Sequence, residues 1–177
     1  MSTKLYSIQH INNTLFASQA NEKVFTSRWF MEFGKMGSEV FNSEEKVTHS
    51  ITKKFQFWKW KMVYTIKSND GLITELISQN NKKTIFSIDL KGITYEIKIH
   101  YKKKISIYKN SHKIAEFDEL YIDKDFKDSI KLQLLDQKDL EVCFLMFSCL
   151  KIGEVEQNSK SVFASQKQLE TNIDPWS

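Results

Sequence analysis

The chain has 177 residues, of which 41% are apolar and 27% are charged, and its formal net charge is +4. These values are typical of one soluble globular domain with a substantial buried core. A single proline and five glycines argue against long irregular loops, and the aromatic content of 13% favours sheets over helices.

The beginning of the sequence, MSTKLYSIQHINNT, has no apolar run behind its lysine and no small-residue cleavage site. This composition argues against a secretory signal. On a helix, Cys143 and Cys149 would lie about 9 Å apart along the axis and point in different directions, so they cannot form a disulfide. Because buried free thiols suit a reducing compartment, we expect a cytoplasmic protein.

Alternation of apolar and polar residues predicts β-strands from Lys4 to about Phe117. In GITYEIKIHY (residues 92–101), every second residue is apolar, which is typical of a half-buried strand. In WKWKMVYTIK (58–67), the same alternation places Trp58 and Trp60 on the inward face. Short polar turns such as SNDG and QNNKK separate these runs and indicate an antiparallel meander.

About ten to twelve strands are predicted in total, the last of them at 130–135. An open sheet of that size curls or closes. We therefore expect a mainly β fold, a closed antiparallel barrel of about 12 strands.

The period then changes in LEVCFLMFSCLKIG (residues 140–153), which predicts an α-helix at about 137–152. Asp136 is the expected N-cap, Lys151 lies in the last turn, and Gly153 is placed for a C-cap. The helix is apolar on all sides, so it must be surrounded.

Either lipid or protein can surround such a helix. The uninterrupted apolar section 142–150 spans only about 14 Å as a helix, whereas the hydrocarbon core of a bilayer is about 30 Å thick. A barrel of eleven or twelve strands is wide enough to enclose a helix. We therefore predict a single barrel domain at 1–156 that encloses the helix, followed by a polar tail at 157–177. A membrane anchor remains the alternative.

A roughly twelve-stranded barrel with an apolar helix near its C-terminus resembles the tubby C-terminal-like superfamily, which includes LURP-one-related proteins and phospholipid scramblases. The segment DKDFKDSIKLQLLDQKDLEVCFLMFSCLKI (123–152) is similar to the C-terminal pattern of the scramblases. The resemblance implies the barrel with a central helix. Through the tubby domains it implies phosphoinositide binding, and through the scramblases it implies a calcium loop or a lipid-scrambling role.

Motifs for catalysis are missing from the sequence. It contains no Gly-x-Ser-x-Gly elbow, no phosphate-binding Gly-Lys-[Ser/Thr] loop and no dinucleotide fingerprint. The four histidines are scattered on predicted turns and polar strand faces, and neither cysteine has a second metal ligand at helical or knuckle spacing. We therefore expect a protein that is not an enzyme and uses no cofactor and no metal.

The acidic run EFDELYIDKDFKD is one candidate interaction site. Its carboxylates offer oxygen ligands, but the glycine and terminal glutamate of an EF-hand are missing. A solvated loop is the simpler interpretation. The functional one is a protein-binding surface, as in an adaptor or a cognate inhibitor, formed by Asp118, Glu119, Asp123, Asp125 and Asp128.

Positive charge is concentrated in the middle of the chain, where residues 51–113 contain 14 Lys and only four Asp or Glu. A basic face with Phe55 and Phe57 on the outward parity is suited to an anionic membrane surface. Solvated lysines that protect sheet edges are the alternative. The candidate lipid- or anion-binding residues are Lys53, Lys54, Lys59, Lys61, Lys102, Lys103 and Lys104.

Nucleic acid is a weaker candidate, because the chain has one arginine, Arg28, and base and phosphate recognition favour arginine. The leading hypothesis is a non-enzymatic binding or scaffold module for anionic lipid headgroups. Binding of a protein partner is the second hypothesis. A scramblase-like role, which requires the helix to leave the barrel, is the third.

Overall fold

The computed structural model describes residues 3–100, 104–119 and 129–154. These residues form twelve β-strands and one α-helix. The strands are β1 (Lys4–Ile11), β2 (Thr14–Gln19), β3 (Glu22–Glu32), β4 (Lys35–Phe41), β5 (Val47–Gln56), β6 (Lys61–Ser68), β7 (Ile73–Ser78), β8 (Ile85–Leu90), β9 (Ile93–Ile99), β10 (Lys104–Lys109), β11 (His112–Asp118) and β12 (Ser129–Leu134).

Each strand pairs antiparallel with the next one along the chain, and β12 pairs with β1 to close the barrel. In the closing pair, Lys4 lies opposite Leu134 and Ile8 lies opposite Ile130. The alternation of side chains places Tyr6 and Ile8 of β1 in the core. The predicted fold class, a closed antiparallel barrel of about 12 strands, is confirmed.

The helix α1 (Leu140–Lys151) follows β12 after a single 3₁₀ turn at Gln137–Asp139. Asp136, the predicted N-cap of the α-helix, instead caps the 3₁₀ turn: its carboxylate accepts a hydrogen bond of 3.0 Å from the backbone N–H of Lys138. The N-cap residue of α1 is Asp139, which makes no side-chain cap hydrogen bond. Ile152 ends the helix in an extended conformation, and Gly153 follows with φ +91°, which a side chain would disfavour.

The barrel encloses the helix. Seven consecutive residues, from Cys143 to Cys149, are buried, and seven helical residues span almost two turns, so every side of the helix is covered. The ring of Phe147 stacks on Phe117 of β11 with centroids 4.2 Å apart, and Phe144 stacks on Phe25 of β3 at 5.7 Å. The helix therefore fills the barrel as the core element that the sequence predicts.

Charged groups at the N-terminus of α1 fix it to the wall of the barrel. Asp139 is buried, and its Oδ1 accepts hydrogen bonds from the Tyr95 hydroxyl at 3.1 Å and from Lys109 Nζ at 2.8 Å. The hydrogen bond to this carboxylate raises the pKa of Lys109. The helix begins at one mouth of the barrel, which we call the Asp139 end.

A second ionic cluster lies where the helix ends. Lys151 is buried, and its ammonium group pairs with Glu119 and, at 2.8 Å, with Glu154. Burial acts to lower the pKa of Lys151, but the two carboxylates outweigh it and the pKa is raised. The helix ends at the other mouth of the barrel, which we call the Ile152 end.

A search for membrane-crossing helices in the three described ranges finds none that is long and apolar enough. The tail predicted at 157–177 lies outside these ranges.

The placement of Trp58 and Trp60 on the inward face is wrong. Gln56 pairs with Lys61, so the four residues between them form a hairpin loop rather than strand. Phe57–Lys59 makes one 3₁₀ turn and Trp60 adopts φ +53°. Of the residues predicted to face inward, only Met62, Tyr64 and Ile66 contact the core, and both tryptophans are exposed to solvent.

Candidate functional site

Three neighbouring hairpin turns form the rim of the Ile152 end. Strands alternate in direction, so the turns that follow β3, β5 and β7 lie at the same mouth of the barrel. They are adjacent around that mouth because β4 pairs with β5 and β6 pairs with β7.

The first two of these turns carry exposed aromatic side chains. All six exposed Phe and Trp side chains of the described residues lie at this end of the barrel. Trp58 is 80% exposed and Phe57 71%, although burial of such rings is normally favourable. We call five of these residues the aromatic rim: Phe33, Phe55, Phe57, Trp58 and Trp60.

Four of the rings lie on one hairpin and three of them contact one another. The centroid of Trp60 lies 5.5 Å from that of Phe55 and 5.7 Å from that of Phe57. From the next turn, Lys83 Nζ lies 4.6 Å from the Phe55 centroid and 5.6 Å from the Trp60 centroid. These are cation–π distances, so a positive charge is held over the aromatic cluster.

Lysines that pair with none of the described carboxylates surround the rim. Lys54 and Lys59 are exposed, Lys61 is half-buried, and Lys82 projects from the turn after β7. No ion pair links any of the four to a carboxylate of residues 3–100, 104–119 or 129–154. Three of the four belong to the basic set identified in the sequence, and their charge is available to an external anion.

Lys53 differs from its neighbours in the predicted basic set. It lies on the inward parity of β5 with the buried Ile51, and its Nζ donates a hydrogen bond of 2.7 Å to Ile152 O. Burial lowers the pKa of Lys53, whereas the carboxylate of Glu154 opposes the shift. The structure therefore assigns this lysine to the end of the helix and not to the outer surface.

The third predicted basic segment is only partly described. Lys104 begins β10, and its Nζ lies 3.3 Å from Oε1 of the buried Glu116. Lys102 and Lys103 lie outside the described residues.

The predicted acidic surface is also only partly described. Asp118 ends β11, where the strand register places it opposite Lys104 and Lys131. Glu119 pairs with the buried Lys151. The other members of this set, Asp123, Asp125 and Asp128, lie outside the described residues, so a protein-binding role for the set stays a prediction.

A small cavity at the Asp139 end combines an imidazole and a carboxylate. It has a volume of about 90 Å³ and is lined by residues including Leu72, Leu90 and Leu145. Nδ1 of His49 lies 3.7 Å from Oε1 of Glu141. Burial lowers the pKa of His49, although Glu141 and Asp70 oppose the shift, so this histidine is neutral near pH 7.

Over the three described ranges, no group of three or more His, Cys, Asp or Glu side chains is arranged to hold a metal ion.

The sequence alone identified the lysines better than the aromatic rim. The outward parity predicted for Phe55 is wrong: Phe55 lies opposite Met62 and shares the inward parity of Ile51, and it is 37% exposed where β5 reaches the mouth of the barrel. The alternation also predicts an inward position for the two tryptophans, and it does not single out Phe33. The signal that was available is the FG pair at 33–34, where an apolar residue occupies a two-residue turn. Lys82 and Lys83 lie beside the aromatic rim because the turn after β7 is next to the hairpin after β5, and this adjacency comes from the pairing of β6 with β7.

Comparison of the chain with protein-family models, with curated proteins and with solved structures finds no significant match in any of the three.

Proposed function

We propose that the protein is a non-enzymatic module that binds anionic phospholipid surfaces through the Ile152 end of its barrel. The observation that carries the proposal is a set of lysines around the exposed aromatic rim that make no ion pair with any described carboxylate: Lys54, Lys59, Lys61 and Lys82. A lysine near an anionic membrane contributes about 1 kcal/mol, so four of them acting together are sufficient for measurable association.

The distribution of charge along the chain supports the same orientation. The lysine-rich segment 51–113 supplies these residues and Lys83. Asp136 and Glu141 are exposed at the opposite, Asp139 end. The lysines of the Ile152 end that make no ion pair with a described carboxylate favour an approach to a negative surface with this end first.

The same proposal includes a distant relationship to the tubby C-terminal-like superfamily. It is supported by the closed twelve-stranded barrel and by the buried helix that follows the last strand. Anionic lipids are concentrated in the cytoplasmic leaflet of membranes, so a cytoplasmic location, as the sequence suggests, fits this ligand.

Sedimentation with phospholipid vesicles tests the proposal. The protein should bind vesicles of 70% phosphatidylcholine and 30% phosphatidylserine, and it should not bind phosphatidylcholine alone. Binding should weaken as salt is raised from 50 to 500 mM, because salt screens charges on an exposed surface.

The matched variants change charge at either end of the barrel. Replacement of Lys54, Lys59, Lys61 and Lys82 by Gln should abolish most of the binding. Replacement of the exposed Lys67 and Lys91, which lie towards the Asp139 end, should leave it nearly unchanged. Equal losses per charge removed from the two sets would mean that net charge alone drives association, and no binding by the wild type would refute the proposed function.

A further inference from the structure

We infer that the aromatic rim penetrates the lipid bilayer, so that the barrel stands on the membrane with its Ile152 end inserted to the level of the headgroups. This inference rests on the proposed function and adds to it an apolar component that is insensitive to salt. It assigns binding roles to Phe33, Phe57, Trp58 and Trp60, none of which belongs to the basic set.

Phe33 provides the first argument. The turn between β3 and β4 contains only Phe33 and Gly34, since Glu32 pairs directly with Lys35. Phe33 has φ +48° and Gly34 φ +74°, which are the signs of a type I′ turn. Asn, Asp and Gly are preferred at the first position of this turn, whereas a bulky residue with positive φ is an outlier.

The other two-residue turns of this barrel show that a bulky residue such as Phe33 is unusual at this position. Two-residue turns in which both residues have positive φ also occur at Ala20–Asn21, Lys91–Gly92 and Asn110–Ser111. Each of them uses a small or polar first residue, or a lysine that reaches solvent. Phe33 combines an unfavourable backbone conformation with a fully exposed ring. A residue that is strained and exposed at once indicates a role outside the fold.

The composition of the rim identifies a bilayer as the occupant. Trp and Phe rings beside lysines match the interfacial region of a membrane, where rings enter the acyl boundary and ammonium groups remain among the headgroups. Lys83 already lies over the Phe55 and Trp60 rings, so positive charge and apolar surface enter the interface together.

Charge disfavours a second copy of the chain. Phe33, Phe57, Trp58 and Trp60 are exposed on hairpin turns at the same mouth of the barrel as the lysines. A two-fold dimer through this end would bring Lys54, Lys59 and Lys82 towards the same lysines of the partner, and like charges at an interface are unfavourable. An anionic bilayer instead supplies charge complementary to the lysines.

Variants of the two turns test the inference. Phe33→Asn and Trp58→Ser should each weaken binding to the phosphatidylserine vesicles by about tenfold, because each removes one ring from the interface. Ile73→Ser is the matched control: Ile73 is 62% exposed but lies at the Asp139 end, so affinity should not change. Phe33→Asn also creates an Asn-Gly type I′ turn, so its Tm should equal or exceed that of the wild type, and lost binding cannot be attributed to unfolding.

The depth to which Trp58 enters the bilayer is measured by tryptophan fluorescence. Vesicles that contain phospholipid brominated near the top of the acyl chain should shift the wild-type tryptophan emission to the blue and quench it. In Trp58→Phe, which keeps an aromatic ring at this position, binding should persist while the quenched fraction decreases. The difference between the two proteins isolates Trp58 from the half-buried Trp29 and from the other tryptophans.

The outcomes separate this inference from the proposed function. Suppose that Phe33→Asn or Trp58→Ser binds like the wild type while the lysine variant does not. The replaced ring then adds nothing to binding, and insertion of that turn into the bilayer is refuted. If the wild type does not bind anionic vesicles, both proposals fail. If the protein in solution is a dimer that Phe33→Asn converts to a monomer, the rim is an interface between copies and the inference is overturned.

Discussion

The ammonium group of Lys53, near the end of β5, donates a hydrogen bond of 2.7 Å to the carbonyl oxygen of Ile152, the residue that ends α1. The last carbonyls of a helix have no partner within the helix, and a buried carbonyl without a donor is costly. Lys53 therefore connects the barrel wall to the end of the enclosed helix. The same contact removes it from the surface that the neighbouring lysines form.

The first prediction separates Lys53 from Lys54. Lys53→Met should lower the free energy of unfolding by about 1–3 kcal/mol, because it leaves the Ile152 carbonyl without its donor. Its affinity for anionic vesicles should not change. Lys54→Met, one residue away on the outer face, should weaken vesicle binding and leave stability within about 0.5 kcal/mol. Urea unfolding and vesicle sedimentation measure the two effects, and a reversed pattern would refute the assignment.

The stacked pair Phe117–Phe147 leads to the second prediction. Both rings are fully buried, with planes only 6° from parallel. Phe147→Ala should lower the free energy of unfolding by about 3–5 kcal/mol, because it leaves a cavity between the helix and β11. Phe57→Ala is the matched control on an exposed ring and should cost far less. Similar costs for the two, measured by urea unfolding, would mean that the helix does not fill the barrel.

The third prediction concerns pH. Burial lowers the pKa of His49 below its ordinary value of about 6.5, and Glu141 and Asp70 only partly offset this. The unfolded chain therefore binds a proton at this residue more readily than the folded one. His49 contributes stability above about pH 6.5 that is lost as pH falls through the folded pKa.

The measurement compares urea unfolding at pH 7.5 and pH 5.0 for the wild type and for His49→Gln. The wild type should lose more stability on acidification than the variant, because other titrating groups are common to both proteins. His112→Gln, an exposed histidine, should behave like the wild type. Identical losses for wild type and His49→Gln would contradict the prediction.

The fourth prediction uses the two thiols of the helix. Cys143 and Cys149 are fully buried, and burial raises the pKa of both thiols. Neither should react with a water-soluble disulfide reagent at pH 8 in the native protein, and both should react in 6 M guanidinium.

The same assay distinguishes the scramblase-like alternative. If the helix stays in the barrel when the protein binds anionic vesicles, the thiols remain unreactive. Reaction of the thiols on addition of vesicles would show that the helix leaves the barrel, and the orientation proposed for the bound protein would then be wrong.

Much of the architecture follows from pattern alone. In residues 92–101 the period of two predicts a strand, and the structure has β9 at Ile93–Ile99. The continuous apolar surface of 142–150 requires an environment that covers every side, and a barrel of this number of strands provides one. Length, charge and the apolar segment together specified a closed barrel around a helix.

Two predictions from the sequence were wrong, one for the tryptophans at 58 and 60 and one for Lys53. Alternation shows which face of a strand a residue occupies only while the strand continues. The hairpin loop at 57–60 interrupts the strand, so alternation gives the wrong position for Trp58 and Trp60. Lys53 keeps the inward parity of Ile51, but a lysine on that parity is interpreted as solvated until its partner, the Ile152 carbonyl, is known.

The sequence by itself determined the strands, their antiparallel order, the enclosed helix and the concentration of lysine in the middle of the chain. Only the tertiary structure decided which side chains meet at each mouth of the barrel. Phe33, Trp60 and Lys83 are 23 to 50 residues apart in sequence, yet their turns are adjacent because of the pairing of β4 with β5 and of β6 with β7. The contacts among these side chains depend on the conformations of the turns, such as the 3₁₀ turn at Phe57–Lys59 and the positive φ of Trp60, and alternation along the strands does not specify them.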